Sequence, residues 1–248
     1  MNVSLIESIS KLLQSNPSEV KALTKLVGLN VLKSLGDNKY TIAIDDKTLT
    51  AQSQKNLAIG GSYWAKLSYT SNTPELSLPT KQPQLLKNIN QYKHSSLNID
   101  DIKTILSTKE GIQNYKTNLL EQLGHTTNKD EFANISTLLL SLHHQVFTVV
   151  FEYHNCFSIL QLKKRYNNKT KKSAIDFYAA LEFLGPIGGV IYMDEDRVMI
   201  DISVAYERSK HFLEQNIDSL SYHINISLLE SIPPLYDSAS NSLLDVSI

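Results

Sequence analysis

The stretch from Ile175 to Ile224 reads IDFYAALEFLGPIGGVIYMDEDRVMIDISVAYERSKHFLEQNIDSLSYHI. Apolar and polar residues alternate in its first part, which is typical of a half-buried strand. Leu184-Gly185-Pro186 marks a turn, and two more alternating runs follow, separated by the acidic turn 194–196. An amphipathic helix is predicted from 206 to 224, because Leu213, Ile217 and later apolar residues recur every three or four positions. This order predicts an antiparallel sheet with one face covered by a helix.

In the N-terminal part of the chain, 1–71, the spacing of apolar residues changes from that of a helix to that of a strand. Residues 1 to about 27 have the apolar spacing of helices. Short runs with a period of two follow, and Asp45-Asp46 between two of them predicts a tight hairpin. Several short strands at close spacing favour a small barrel-like module.

Residues 72–96 are polar and contain three prolines, so they are interpreted as a linker with a partly extended backbone. Residues 97–232 are predicted to form one unit, in which a helical segment with three apolar stripes precedes the C-terminal sheet and helix. The serine-rich residues 233–248 are predicted to be a flexible tail. The chain is therefore expected to have an α+β fold.

Composition excludes several classes of protein. The 248 residues carry a formal net charge of -1, so no global field favours nucleic acid or an anionic membrane. One cysteine allows neither an intrachain disulfide nor a thiolate metal cage. No apolar run approaches the ~20 residues that span a bilayer, and the N-terminus does not resemble a secretory signal. These features predict a cytoplasmic protein without a membrane span.

Few residues suggest catalysis, metal binding or phosphate binding. His143 and His144 are adjacent, so on a helix they diverge by about 100° and cannot chelate one ion together. The carboxylates Asp194, Glu195 and Asp196 could serve acid–base chemistry or hold a cation, but they lie in a predicted turn that is open to water, so they are interpreted as a solvated turn. The glycines match no phosphate-binding motif.

Cys156 could act as a nucleophile with His154, but no third orienting group is apparent. A basic cluster could contact phosphate or, as the near-zero net charge favours, an acidic protein surface; a solvated loop is the alternative. Its members are Lys163, Lys164, Arg165, Lys169, Lys171 and Lys172. We therefore expect no catalytic residue, metal or cofactor, and a protein that is not an enzyme.

An alternative function lies in the N-terminal module. A small barrel of the OB type could bind single-stranded nucleic acid by stacking bases on Tyr40, Tyr63, Trp64 and Tyr69. Strict alternation places Tyr63 and Trp64 on opposite faces of a strand, which weakens a common stacking surface.

The run LEFLGPIGGVIYMDEDRVMIDISV, followed by AYERSKHFLEQNIDSLSYHI, resembles the C-terminal domain of bacterial flagellar hook-length control proteins. Leu184, Gly185 and Pro186 match that family's turn, and Arg208, Leu213 and Leu220 match its helix. The run 38–67 is also similar to the small β-module found ahead of this domain in some relatives. The resemblance covers about half the chain, and the short linker 72–96 does not match the family's long ruler segment.

The resemblance implies a non-enzymatic protein that contacts the flagellar type III export apparatus, with an export-gate or chaperone protein as its partner. It leaves open whether the chain is itself exported, and the oligomeric state is not indicated. A second resemblance, of a helical region followed by a small sheet, is to flagellar export co-chaperones. Expected contact positions are Leu184, Gly185, Pro186 and Ile187, for which the alternative role is a buried structural turn.

Overall fold

The structure is a computed structural model. It describes residues 26–44, 47–68, 73–83, 97–153, 156–167, 172–181, 183–195, 197–217 and 222–238. The helix predicted before residue 26 lies outside these residues. The fold is α+β, as expected, with a barrel, a helical layer and a separate sheet.

The N-terminal module is a closed barrel with the strand order β1-β2-β3-β5-β4. Alternate side chains such as Leu29, Ile42 and Leu76 fill its interior. Strands β2 and β3 pair antiparallel up to Ile44 opposite Lys47, which confirms the predicted hairpin, although Asp45 and Asp46 lie outside the described residues. The strands are β1 (Val27–Gly36), β2 (Lys39–Ile44), β3 (Lys47–Ser53), β4 (Ser62–Ser68) and β5 (Glu75–Lys81).

Strand β5 corrects the interpretation of 72–96 as a linker over residues 75–81. β5 closes the barrel by pairing parallel with β3 and antiparallel with β4. The proline at 79 suggested a linker, but the register with β4 shifts beside it, and proline is tolerated at such irregularities. Residues 84–96 lie outside the described part of the chain.

Three helices form the predicted helical segment: α1 (Ile99–Ser107), α2 (Gly111–His125) and α3 (Lys129–His143). Asn98 caps α1 in a capping box with Asp101, and the Asn128 side chain caps α3. The buried stripes of the helices pack on β6 (Phe147–Tyr153). The apolar spacing also predicts that Ile112 of α2 and Phe132 of α3 are buried, but both are exposed.

The C-terminal sheet has six strands in the order β11-β10-β9-β8-β7-β6. Neighbouring strands are antiparallel except for β10 and β11, which run parallel. The remaining elements are β7 (Cys156–Asn167), β8 (Lys172–Leu181), β9 (Gly185–Asp194), β10 (Arg197–Val204), α4 (Glu207–Asn216) and β11 (His223–Leu228).

The predicted helix 206–224 is wrong in its second half. α4 ends at Asn216, and Ile224 lies in β11, parallel to Ile200 of β10. The β-branched residues Ile224 and Ile226 alternate with Asn225 and Ser227, a pattern that favours a half-buried strand. The helical spacing that included Ile224 was therefore a coincidence.

Helix α4 covers one face of this sheet, as predicted. Its buried Phe212 and Leu213 pack with Leu184, Ile187 and Val204 in one cluster. Half-buried Phe177 packs against the same cluster, and Ile200 is buried.

The opposite face of the sheet contacts the barrel and the chain end. Trp64 of β4 packs with Ile159, Tyr178 and Ile232, and the Tyr206 hydroxyl donates a hydrogen bond to Thr80 Oγ1 at 2.7 Å. The C-terminal strap, which we define as residues 229–238, crosses this face. Tyr236 of this strap is buried, and its backbone N–H and carbonyl bond to the Gln161 side chain, so this part of the predicted tail 233–248 contacts the sheet. Residues 239–248 lie outside the described residues.

Candidate functional site

The turn that carries the four predicted contact residues is buried. Leu184 and Ile187 are 4% and 7% exposed, and Gly185 and Pro186 are also buried. Leu184 and Ile187 lie in the cluster beneath α4. This burial favours the alternative role of the four residues, a buried structural turn, and their role as contact positions stays a prediction.

Gly185 is required by the geometry of this turn. Its φ is +77°, and an added Cβ would come 2.3 Å from Cε2 of Tyr206. Both the left-handed backbone and the close approach of the aromatic ring exclude a larger residue.

Two residues at the start of α4 hold the turn by hydrogen bonds. Arg208 Nη2 donates to the carbonyl of Phe183 at 3.0 Å. Ser209 Oγ, which is fully buried, donates to the carbonyl of Leu184 at 2.7 Å. The Arg208 guanidinium lies over the Tyr206 ring, 5.5 Å from its centroid. Partial burial lowers the pKa of Arg208 and, more than any other cause, raises that of Tyr206.

In the six-stranded sheet, the outer edge of β11 is exposed. In the described part of the chain β11 is the last strand of the sheet, with β10 on one side only. Leu228 and the following Leu229 are each 47% exposed. Asn225 Nδ2 donates to Asp201 Oδ1 at 2.9 Å, which ties the polar face of β11 to β10.

Sequence reasoning missed this edge because it assigned Ile224 to a helix. The signal was present in the run Ile224-Asn225-Ile226-Ser227-Leu228, which has a strict period of two.

The aromatic residues proposed for base stacking do not form an exposed surface. Tyr40 and Trp64 are each 4% exposed, Tyr40 within the barrel core and Trp64 against the sheet. The half-buried Tyr63 accepts a hydrogen bond from the Ala58 backbone N–H on its hydroxyl. Tyr69 lies outside the described residues. The N-terminal module is a closed five-stranded barrel, and Tyr40 and Tyr63 contribute to its core, whereas Trp64 packs outside it.

Two residues of the basic cluster, Arg165 and Lys172, form salt bridges with aspartates. Lys172 Nζ lies 3.0 Å from Asp194 Oδ1, and Arg165 Nη2 lies 3.0 Å from Asp176 Oδ1. Glu195 is exposed in the turn after β9. Lys163 is half-buried and Lys164 exposed on β7. The structure does not describe Lys169, Lys171, Asp196, His154 or the side chain of Cys156.

The two adjacent histidines lie at the end of α3. The rings of His143 and His144 are 5.7 Å apart, nearly perpendicular to each other, and His144 packs on Tyr236 of the C-terminal strap. Within the described ranges, no three His, Cys, Asp or Glu residues are grouped so that they could hold a metal ion.

Comparisons with protein-family models, with curated proteins and with solved structures gave no match to this chain. Among the described residues, every helix is too short or too polar to cross a membrane.

Proposed function

We propose that this chain is a non-enzymatic protein-interaction component of flagellar type III export or assembly, similar to hook-length control proteins. In this proposal it acts in the cytoplasm and binds an export-gate or chaperone protein. It recognises that partner by apolar contacts and backbone pairing, without bond chemistry.

The observation that carries the proposal is the way in which the residues of the resemblance meet. Leu184 and Gly185 lie more than twenty positions before Arg208 and Leu213 in the sequence. Arg208 and Ser209 nevertheless bond to the turn, and Leu213 packs with Leu184. If the resemblance were a chance match of short apolar motifs, the matching residues would have no reason to contact each other. Their contact therefore supports the idea that the turn and the helix form one structural unit, as in the family.

A pull-down tests the proposal. The tagged full chain is incubated with purified flagellar export-gate and chaperone proteins from the same cell, and a deletion strain is scored for motility. We expect one of these proteins to be retained and motility to be lost. Retention of none of them, together with normal motility of the deletion strain, would contradict the proposal.

A co-chaperone is the second candidate, favoured by apolar residues on the helical layer. Leu120 of α2 is 50% exposed, and Phe132 and Leu140 of α3 are 51% and 41% exposed. Such side chains can serve as anchors for a helical partner such as a flagellin chaperone.

The two candidates are separated by matched surface variants. Phe132→Ser should weaken chaperone binding under the co-chaperone hypothesis and leave it unchanged under the export-gate hypothesis. Lys116→Ser, an exposed change on the neighbouring α2, serves as the control.

A further inference from the structure

We propose that the outer edge of β11 is a strand-addition site for an extended peptide segment of a partner protein. The inference takes from the proposed function only that the partner is a protein. The backbone of β11 shows which groups are available for such pairing.

The direction of the backbone groups follows from one hydrogen bond. The Leu229 N–H donates to the carbonyl of Val204 on β10 at 3.0 Å. Because N–H and C=O groups alternate in direction along a strand, the odd-numbered residues of β11 bond β10. Ile224, Ile226 and Leu228 therefore point their N–H and C=O groups outward, where no described strand pairs with them.

Among the described residues, nothing protects this edge in the ways that natural edge strands are protected. Natural edges carry lysine, proline or a bulge, or are covered by other parts of the chain. β11 has neither lysine nor proline, and its six residues keep one continuous register with β10. By contrast, the opposite edge of the sheet, β6, is partly covered: the Leu97 N–H donates to Val150, and its carbonyl accepts from Glu152.

The side chains of β11 define the chemistry of the incoming strand. Ile226 packs against the cluster beneath α4, so Ile224, Ile226 and Leu228 lie on the apolar face. Asn225 and Ser227 lie on the polar face, where Asn225 bonds Asp201 and Ser227 contacts Ser203. Residues opposite each other in neighbouring strands share a face, so the partner segment should carry apolar residues at alternate positions and polar residues between them.

The size of the edge favours a peptide over a second copy of this chain. A stable interface between folded proteins buries roughly 1,600 Å² in total, more than one strand of this length offers. A short extended segment, held mainly by main-chain hydrogen bonds, fits the available surface.

A pair of substitutions at position 228 tests the site. Leu228→Pro removes an outward N–H, adds a ring at the edge and leaves the bonds to β10 intact. Leu228→Ala removes the same exposed side chain but keeps the N–H. The probes are synthetic peptides about nine residues long, with Val, Ile, Leu or Phe at alternate positions and Thr, Ser or Lys between them. Binding to the full chain is measured by fluorescence anisotropy.

We expect a subset of the peptides to bind, with Leu228→Pro weakening them about ten-fold more than Leu228→Ala does. Hydrogen exchange on the wild-type chain, which does not depend on the variant folding, should show slower exchange at Ile224, Ile226 and Leu228 when peptide is bound. Equal binding by both variants, or no peptide bound, would overturn the inference. A concentration-dependent dimer that Leu228→Pro abolishes would also overturn it, by making a second copy the occupant.

The two proposals fail in different ways. Retention of an export-gate protein that Leu228→Pro does not reduce would refute the edge site and leave the proposed function standing. Peptide binding at β11 without any flagellar partner would refute the proposed function and leave the edge site standing.

Discussion

At the scale of single residues, the burial of the turn 183–187 depends on the residues that pack over it. Leu184 and Pro186 are apolar, and the sequence could equally place them on a surface or in a core. The structure buries them because Tyr206, Arg208 and Ser209 at the start of α4 close over the turn. Gly185 is the residue for which this arrangement allows no substitute.

Gly185→Ala should lower the free energy of unfolding by about 2–4 kcal/mol, measured by urea denaturation. A left-handed alanine costs about 1–2 kcal/mol, and the clash with Tyr206 adds an overpacking penalty. Gly124→Ala is the matched control, since a Cβ there meets nothing within 4 Å and α2 should gain about 1 kcal/mol. Equal effects of the two changes would contradict the account of the turn.

Tyr178 should make the protein sensitive to alkali. Burial, and secondarily Asp237, raise the pKa of this phenol above its usual value of about 10. The unfolded chain then ionises first as the pH rises, so stability is present below about pH 10 and is lost above it, by about 1.4 kcal/mol per pH unit.

Tyr178→Phe should reduce that alkaline loss and change stability at neutral pH by less than about 1 kcal/mol. The buried hydroxyl has no hydrogen-bond partner among the described residues, so its removal leaves no other group unpaired. Urea denaturation at several pH values measures both effects. An unchanged pH profile in the variant would exclude Tyr178 as the cause.

At the scale of secondary-structure elements, periodicity could predict the barrel strands, the three central helices and the antiparallel strands β8 to β10. It could not predict β5, since Pro79 resembles a linker residue until the register shift beside it is known. It also failed at β11, where Ile224 fits both a helical and a strand spacing. The candidate site at β11 was therefore missed as well. In addition, a sequence does not show which strand lies at the edge of a sheet until the strand order is known.

The C-terminal strap illustrates a contact between distant elements. The Gln161 side chain on β7 is 1% exposed; its Nε2 donates to the Tyr236 carbonyl at 2.7 Å, and its Oε1 accepts from the Leu235 and Tyr236 N–H groups. The serine content of residues 233–248 favoured a flexible tail, and no local pattern in the sequence pointed to Gln161 as a partner.

Gln161→Met should lower the free energy of unfolding by about 2–4 kcal/mol and increase proteolysis within 229–238. The change keeps the side-chain volume but leaves buried backbone groups of the strap unpaired. Gln113→Met on the exposed face of α2 is the control and should have little effect. Wild-type proteolysis of the strap in Gln161→Met would show that it is held by other contacts.

At the scale of the whole molecule, the barrel and the sheet meet at Trp64. This side chain projects from β4 away from the barrel core and packs against Tyr178, Ile159 and Ile232. The hydrogen bond from Tyr206 to Thr80 joins the same two parts. The division of the chain into separate domains, which the sequence suggested, stays a prediction.

Trp64 is the only tryptophan in the chain, so its fluorescence reports on this contact. We expect the fluorescence and far-UV circular dichroism transitions in urea to coincide, because loss of the joint would expose apolar surface on both parts. An earlier fluorescence transition would mean that the barrel separates before the sheet unfolds.

Hydrogen exchange along 223–228, with and without the export-gate protein, tests most directly the claim that this sheet binds other proteins. In the free chain, the amides of Asn225 and Ser227 should exchange slowly and those of Ile224, Ile226 and Leu228 quickly. Addition of the partner should slow the second set. A partner that binds while those three amides keep exchanging quickly, or that does not bind, would contradict the claim.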